Sequence, residues 1–332
     1  MAPVTYRRIM ATVHRGIDRL AGSVEAAAGT VSSTVREIAR AGAYAARTFA
    51  SPAGLRGLAV EAAWLAAHGA LYPAGAAREQ LASGVGYRTD SLDPLRRSLL
   101  VTDVEAAGTP ILLIHGIMDN RSVFTVFRRA LQRRGFGVVH AVNYSLFTGD
   151  LRAAAHQLRK HVERLCEQTG SDRVHIVGHS LGGVIARYYV QRMGGAAHVD
   201  TLVTLGSPHS GTLAAYLMPT PLARQLRPGS PTLAQLERRA PGCSTRFLVV
   251  WSRMDEMVVP QRNARLQHPD LAVEHLELRD VGHLSLPIDG RVVRWVADAL
   301  ARSDHRRRTA GAGPARDLTA GTTTGDQESP AS

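Results

Sequence analysis

The stretch Val174-His175-Ile176-Val177-Gly178-His179-Ser180-Leu181-Gly182-Gly183 decides how this chain is read. It opens on a short β-like run over residues 174–177 and leads into residues 181–193, whose apolar side chains recur at helical spacing. The junction is a G-x-S-x-G motif. A serine in so sharp a strand-to-helix turn projects its hydroxyl above the end of the strand. Gly178 and Gly182 flank it because a Cβ there would meet neighbouring backbone. Gly183 adds room for close helix packing. The helix start behind Ser180 supplies unpaired N–H groups and the positive end of its dipole.

Outward from this stretch, short β-like runs alternate with helical runs across residues 96–302. The β-like runs are 111–114, 138–144, 174–177, 199–205, 246–251 and 273–278; the helical runs are 123–134, 151–168, 181–193 and 290–302. This alternation predicts a parallel sheet with helices on both faces. Nearly continuous apolar strands fit a sheet covered on both sides. Residues 208–241 break the pattern: they are Pro-rich and irregular, with Leu213, Tyr216, Leu217, Leu222 and Leu233 among their apolar side chains. They read as a small cap or lid over the sheet edge, or as an ordinary surface excursion.

A serine hydroxyl is a weak nucleophile without a base. Asp255 lies just past the run ending at Trp251, and His283 just past the next run, in Val281-Gly282-His283-Leu284. Both therefore fall at C-terminal strand ends, the edge where open α/β sheets bind ligands. In that arrangement His283 takes the Ser180 proton and returns it to the leaving group, while Asp255 fixes the imidazole tautomer. Glu256 is expected to point away, and Asp280 to be a surface or supporting group. The oxyanion needs N–H donors. The Leu181 amide is one; the loop His115-Gly116-Ile117-Met118 offers the other, with Ile117 favoured over Met118 and with His115 and Gly116 shaping the turn.

Together these pieces resemble the bacterial lipases and esterases of the α/β-hydrolase superfamily, the true triacylglycerol lipases in particular. The matching segments are residues 111–117, 174–183 with His179 inside the serine motif, 205–212, Asp255 with Val258-Val259-Pro260, and Gly282-His283. The resemblance implies an α/β-hydrolase fold and hydrolysis of an acyl ester or lipid through an acyl-enzyme, without a cofactor. It also implies a structural role for His209 in Gly206-Ser207-Pro208-His209. Some lipases of this group bind calcium through paired aspartates near the histidine loop. No such pair can be assigned here, and no metal is expected. A thioesterase or acyltransferase of the same fold, or a non-catalytic ligand-binding relative, stands as the alternative.

The flanks are different in kind. Residues 1–95 are rich in Ala, Gly and Arg with apolar spacing of three, four or seven, which predicts a helical extension. Arginines interleave there, so two placements stay open: helices packed on the core, or helices lying on a membrane surface. The net charge of +12 is almost all Arg, with Lys160 the single lysine. With no zinc-finger or RNA-recognition spacing and only 5% aromatics, that charge reads as a solvated surface, and no nucleic-acid partner is expected. Arg7-Arg8 precede no apolar h-region, and no uncharged apolar run reaches membrane-spanning length. The expected location is cytoplasmic or peripheral to a membrane, with export left open. Cys166 and Cys243 make no disulfide framework; one bridge or two buried thiols both fit. Residues 303–332 are polar and low in complexity, which predicts a disordered tail.

Overall fold

The computed structural model describes residues 108–117, 121–142 and 149–311. The N-terminal helical extension, Met118 and the end of the tail lie outside the described residues. Six strands form one sheet: β1 Ile111–Ile114, β2 Val139–Val142, β3 Val174–His179, β4 Val199–Leu205, β5 Arg246–Ser252 and β6 Ala272–Leu278. Their order is β2-β1-β3-β4-β5-β6, and every pairing is parallel. The principal helices are α1 Thr125–Arg133, α2 Leu151–Thr169 and α3 Leu181–Arg192, then the short α4 Pro221–Gln225 and α5 Pro231–Leu236, and last α6 Gly290–Gly311.

Side-chain alternation along the strands divides the interior into two layers. Leu112, Ile114, Ile176, Leu202, Phe247 and Val249 face one way, onto Leu158, Val162 and Leu165 of α2 and Val184 and Ile185 of α3. Ile111, Leu113, Val177, Val203, Leu248 and Val250 face the other way, onto Phe127 and Leu131 of α1 and Val292, Val296 and Leu300 of α6. Strand order explains this division. The chain steps outward from β1 to β2, then back past β1 to β3 and onward to β4. Right-handed crossovers in opposite directions place α1 on one face and α2 and α3 on the other. The reversal lies between β1 and β3, so the crevice above their C-terminal ends is the topological switch point.

Local chemistry sets the helix ends. Asp150 caps α2, its carboxylate accepting the Arg152 N–H, and Gly170 ends that helix in the left-handed region at φ 68°. Thr220 and Ser230 cap α4 and α5, each followed by proline at the first helical position. The outer strand β6 is half-exposed, and Glu274 and Glu277 on it pair with Arg246 and Arg253. Charges on an edge strand oppose sheet-to-sheet association. Among the described residues no helix is long and apolar enough to cross a membrane. Cys166 and Cys243 are unpaired, and partial burial pushes both thiols up.

The boundary of the tail needs correction. Helix α6 does not stop at Arg302 but continues to Gly311, and Ser303 and Asp304 are buried. Asp304 accepts from the Thr109 hydroxyl (2.5 Å) and the Thr109 N–H (3.3 Å), and its other close partner is His175 Nε2 at 3.0 Å. The last helix is thereby tied to the start of β3 and to the chain entering β1. Burial pushes the Asp304 carboxyl up, but the His175 contact and the Thr109 bonds outweigh it and hold the group below its ordinary value. A carboxylate depressed in this way contributes stability above its unfolded value of about 3.9, lost as pH falls through its folded value. Asp304→Asn is therefore expected to lower the unfolding free energy by about 1–3 kcal/mol. Chemical denaturation at pH 7 checks this, and the gap between the two proteins should close as the pH drops below about 4. Equal stability at pH 7 would refute the assignment.

Candidate active site

Ser180 sits between β3 and α3 at φ 54°, ψ −124°, and is the one non-glycine residue with positive φ among the described residues. Such a conformation costs about 1–3 kcal/mol and persists only where the surroundings enforce it. Here they do. The Ser180 N–H donates to the Leu205 carbonyl at 2.8 Å, tying the turn to the end of β4. A Cβ on Gly178 would lie 2.5 Å from the Gly183 backbone, and one on Gly183 would lie 2.0 Å from Ser207 Oγ. A Cβ on Gly182 would lie 2.4 Å from the Ile114 carbonyl and 2.6 Å from that of His115. This last contact brings the first turn of α3 against the loop after β1. The amide of Leu181 and the segment ending at Ile117 are thereby neighbours. His115 is buried with Nδ1 2.8 Å from the Gly116 carbonyl, and Ile117 is half-buried against the core.

The loops after β5 and β6 meet beside this turn. Asp255 is fully buried and His283 nearly so, with His283 Nδ1 2.8 Å from Asp255 Oδ2. The other carboxylate oxygen of Asp255 accepts the Met257 and Val258 N–H groups at 2.9 and 2.7 Å. The Gln261 amide donates to the Asp255 carbonyl at 2.9 Å. The acid is thus fixed by its own loop before it meets the imidazole. Gly206, at φ +57°, passes directly beneath the pair: a Cβ there would lie 2.9 Å from Asp255 Oδ2 and 3.1 Å from His283 Nδ1.

Sequence reading placed Ser180, Asp255 and His283 on the C-terminal edge, and the structure brings Asp255 and His283 into contact there. It also differs on one residue. Glu256 does not point away: its carboxylate accepts the His283 backbone N–H at 3.2 Å. Asp280 pairs instead with Arg291 at 3.0 Å, on the surface. His209 is fully buried with Nε2 3.0 Å from Thr204 Oγ1, and burial with nearby Arg187 keeps its imidazole well below the usual range. It holds its loop to β4 as a neutral ring.

The excursion over residues 208–241 is more ordered than its sequence suggests. It contains a 3₁₀ turn, Leu213–Tyr216, before α4 and α5. Leu222, Leu226 and Leu233 are buried against the α2–α3 layer, whereas Tyr216 and Leu217 are 55% and 85% exposed. Thr212 Oγ1 donates to the Met257 carbonyl and Leu213 N–H to that of Val259, both at 2.7 Å, which moors the excursion to the Asp255 loop. Arg187 of α3, fully buried, donates to the His209 and Leu236 carbonyls at 3.1 and 2.9 Å and pairs with Glu237 at 3.1 Å.

Comparison with known proteins agrees with this architecture. Residues 110–240 match the family model described as palmitoyl protein thioesterase. A triacylglycerol lipase of Pseudarthrobacter phenanthrenivorans is 29% identical over 111 residues, 31% of this chain and 34% of that protein. The palmitoyl-protein thioesterase-dolichyl pyrophosphate phosphatase fusion 1 of Schizosaccharomyces pombe is 29% identical over 130 residues, 36% of this chain and 20% of that protein. The match thus spans about a third or less of these relatives' length, and the resemblance is not confined to bacterial lipases. Among solved structures, lipase B of Aspergillus fumigatus aligns with a TM-score of 0.51 at 15% identity, covering 58% of this chain and 52% of its own. The chain has the α/β-hydrolase fold. Its sequence is similar to lipases and to thioesterases alike.

Gly206 offers a direct test of how closely the backbone must approach the Asp255–His283 pair. Gly206→Ala adds one methyl where only a left-handed residue fits, and is expected to lower kcat by about 10–100-fold. Circular dichroism should show a folded protein. Wild-type turnover in Gly206→Ala would mean that the pair tolerates displacement or takes no part in turnover.

Proposed function

We propose that this protein hydrolyses acyl esters through a covalent acyl-enzyme, with Ser180 as nucleophile, His283 as base and then acid, and Asp255 as the group that orients the imidazole. The carrying observation is the strained Ser180 turn on the same sheet edge as the 2.8 Å Asp255–His283 contact. Asp255 accepts from Nδ1–H, which leaves Nε2 as the basic nitrogen. His283 removes the Ser180 proton as the hydroxyl oxygen attacks the substrate carbonyl. The carbonyl electron pair moves onto oxygen, and the Leu181 and Ile117 amides receive that charge. Collapse expels the leaving group, which takes its proton from His283. Water then repeats the sequence on the acyl-enzyme, releasing the carboxylic acid and restoring Ser180.

A lipid acyl chain is the substrate feature best supported. The excursion after β4 presents Tyr216 and Leu217 to solvent beside the Asp255 loop, and residues 208–241 form the cap of the acyl site in this reading. The match over residues 110–240 favours a second reading, in which the bond cleaved is a fatty acyl thioester. The two share the carbonyl chemistry and differ in the leaving group. A thiolate departs with a pKa of about 8.5 and needs little help from His283, whereas an alkoxide must be protonated as it leaves.

Hydrolysis of p-nitrophenyl esters from acetate to palmitate, with a palmitoyl thioester alongside, separates these readings. Ser180→Ala is expected to lose on the order of 10⁴–10⁶-fold in kcat while remaining folded. Preference for longer oxygen esters supports the first reading and preference for the thioester the second. An unaltered rate in Ser180→Ala would remove both.

A further inference from the structure

His283 stands on a loop between β6 and α6, outside any regular hydrogen-bonded element. Its bond to Asp255 fixes one ring atom but not the main chain that carries the ring. Productive proton transfer tolerates displacements of only about 0.5 Å and 10–20°. Two further contacts act on that main chain from opposite sides. Glu256, on the loop after β5, accepts the His283 N–H on Oε2 at 3.2 Å. His179, the last residue of β3, has Nε2 3.0 Å from the His283 carbonyl. A carbonyl oxygen can only accept, so His179 must carry its proton on Nε2. His179 is fully buried, and its ring centroid lies 4.8 Å from that of His283 at an interplanar angle of 42°.

We propose that Glu256 and His179 are positioning residues for His283, holding its peptide groups on both sides so that Asp255 has only the ring left to orient. This rests on the reading of Ser180, Asp255 and His283 as the reacting set. The arrangement assigns a separate task to each of two adjacent acids, Asp255 to the imidazole and Glu256 to the backbone beneath it. It also assigns the residue before the nucleophile to the base. One end of β3 thereby sets both partners of the proton transfer: Ser180 by chain continuity and His283 through His179.

The test compares variants that remove the contact with variants that keep it, in the full-length protein on a soluble p-nitrophenyl ester. Glu256→Ala and His179→Leu remove an acceptor and a donor; Glu256→Gln and His179→Gln retain an oxygen and an Nε2–H in similar places. The expected result is a fall in kcat of about 10–100-fold in the first pair with KM nearly unchanged, and recovery to within a few-fold of wild type in the Gln variants. Loss of general stability alone would lower the melting temperature without that split or that rescue. If His179→Leu does not fold, Glu256→Ala, at a half-buried residue, decides by itself. Wild-type kcat in the contact-removing variants, with Ser180→Ala inactive, would overturn the positioning role and leave the catalytic reading standing. Activity in Ser180→Ala would overturn both.

Discussion

Backbone packed on backbone around Ser180 is the constraint from which the rest of the site follows. The turn closes only because positions 178, 182 and 183 have no side chain, and the Cβ distances of 2.0–2.5 Å show how little space remains. Those contacts reach three elements: the start of α3 itself, the carbonyls at the end of β1, and Ser207 after β4. The strained φ of Ser180 is stabilised by the packing of the sheet, at a point where the sheet cannot relax without parting β1, β3 and β4. The same closeness brings the loop after β1 to the first amides of α3. The proposed oxyanion donors, the amides of Leu181 and Ile117, lie on these two adjoining segments.

Buried charge then sets where the loops can lie. Arg187 is two turns along α3 from Ser180 and has no solvent exposure. Burial brings its guanidinium down to about 10, an effect that Glu237 partly offsets. A buried guanidinium must have its donors met, and these acceptors come from His209 and from the end of α5. Neighbouring side chains extend the same row: Tyr188 donates to Gln235, and Arg192 donates to the carbonyls of Arg238 and Arg239. Cations against the last carbonyls of α5 also complement its dipole. The excursion after β4 is thus held by the nucleophile's own helix on one side and by the Asp255 loop on the other. A shift of either would be felt at Ser180 and at Asp255.

The inner strands were legible because each is a nearly unbroken apolar run covered on both faces, and the parallel sheet followed from their alternation with helices; the half-exposed edge strand β6 carries glutamates instead. Glycine and serine in one short motif marked the turn, since few residues can occupy it. The features that sequence reading missed share a physical cause. Glu256 has a main-chain N–H as its partner, and main-chain groups leave no trace in sequence. Ser303 and Asp304 look like the start of a polar tail, yet Asp304 is buried against residues 129 and 195 positions away in the chain. The polarity of a short segment reports the cost of burial, and only the fold reveals the partner that offsets it. His179 was identified as part of the motif, but its contact with the His283 carbonyl depends on how the β6–α6 loop returns over β3.

The division of labour proposed around His283 bears on how one such site would accommodate different leaving groups. In the proposed reaction, attack on an acyl carbonyl draws on Ser180 and the Leu181 and Ile117 amides, set by the contact of β1, β3 and α3, and on His283, set by the loops after β5 and β6. In the same proposal, leaving-group protonation depends on that imidazole after it has become charged, when its bond to Asp255 must strengthen without the ring moving. A backbone held from both sides permits that: the charge changes while the framework stays in place. In this proposal, recognition of the rest of the substrate falls to groups outside this framework. The excursion is suited to that part, because its inner leucines are fixed in the core while Tyr216 and Leu217 remain at the surface. Under the proposed mechanism, substitution at its outer face would alter what is bound while leaving the Ser180 turn and the Asp255–His283 contact in place.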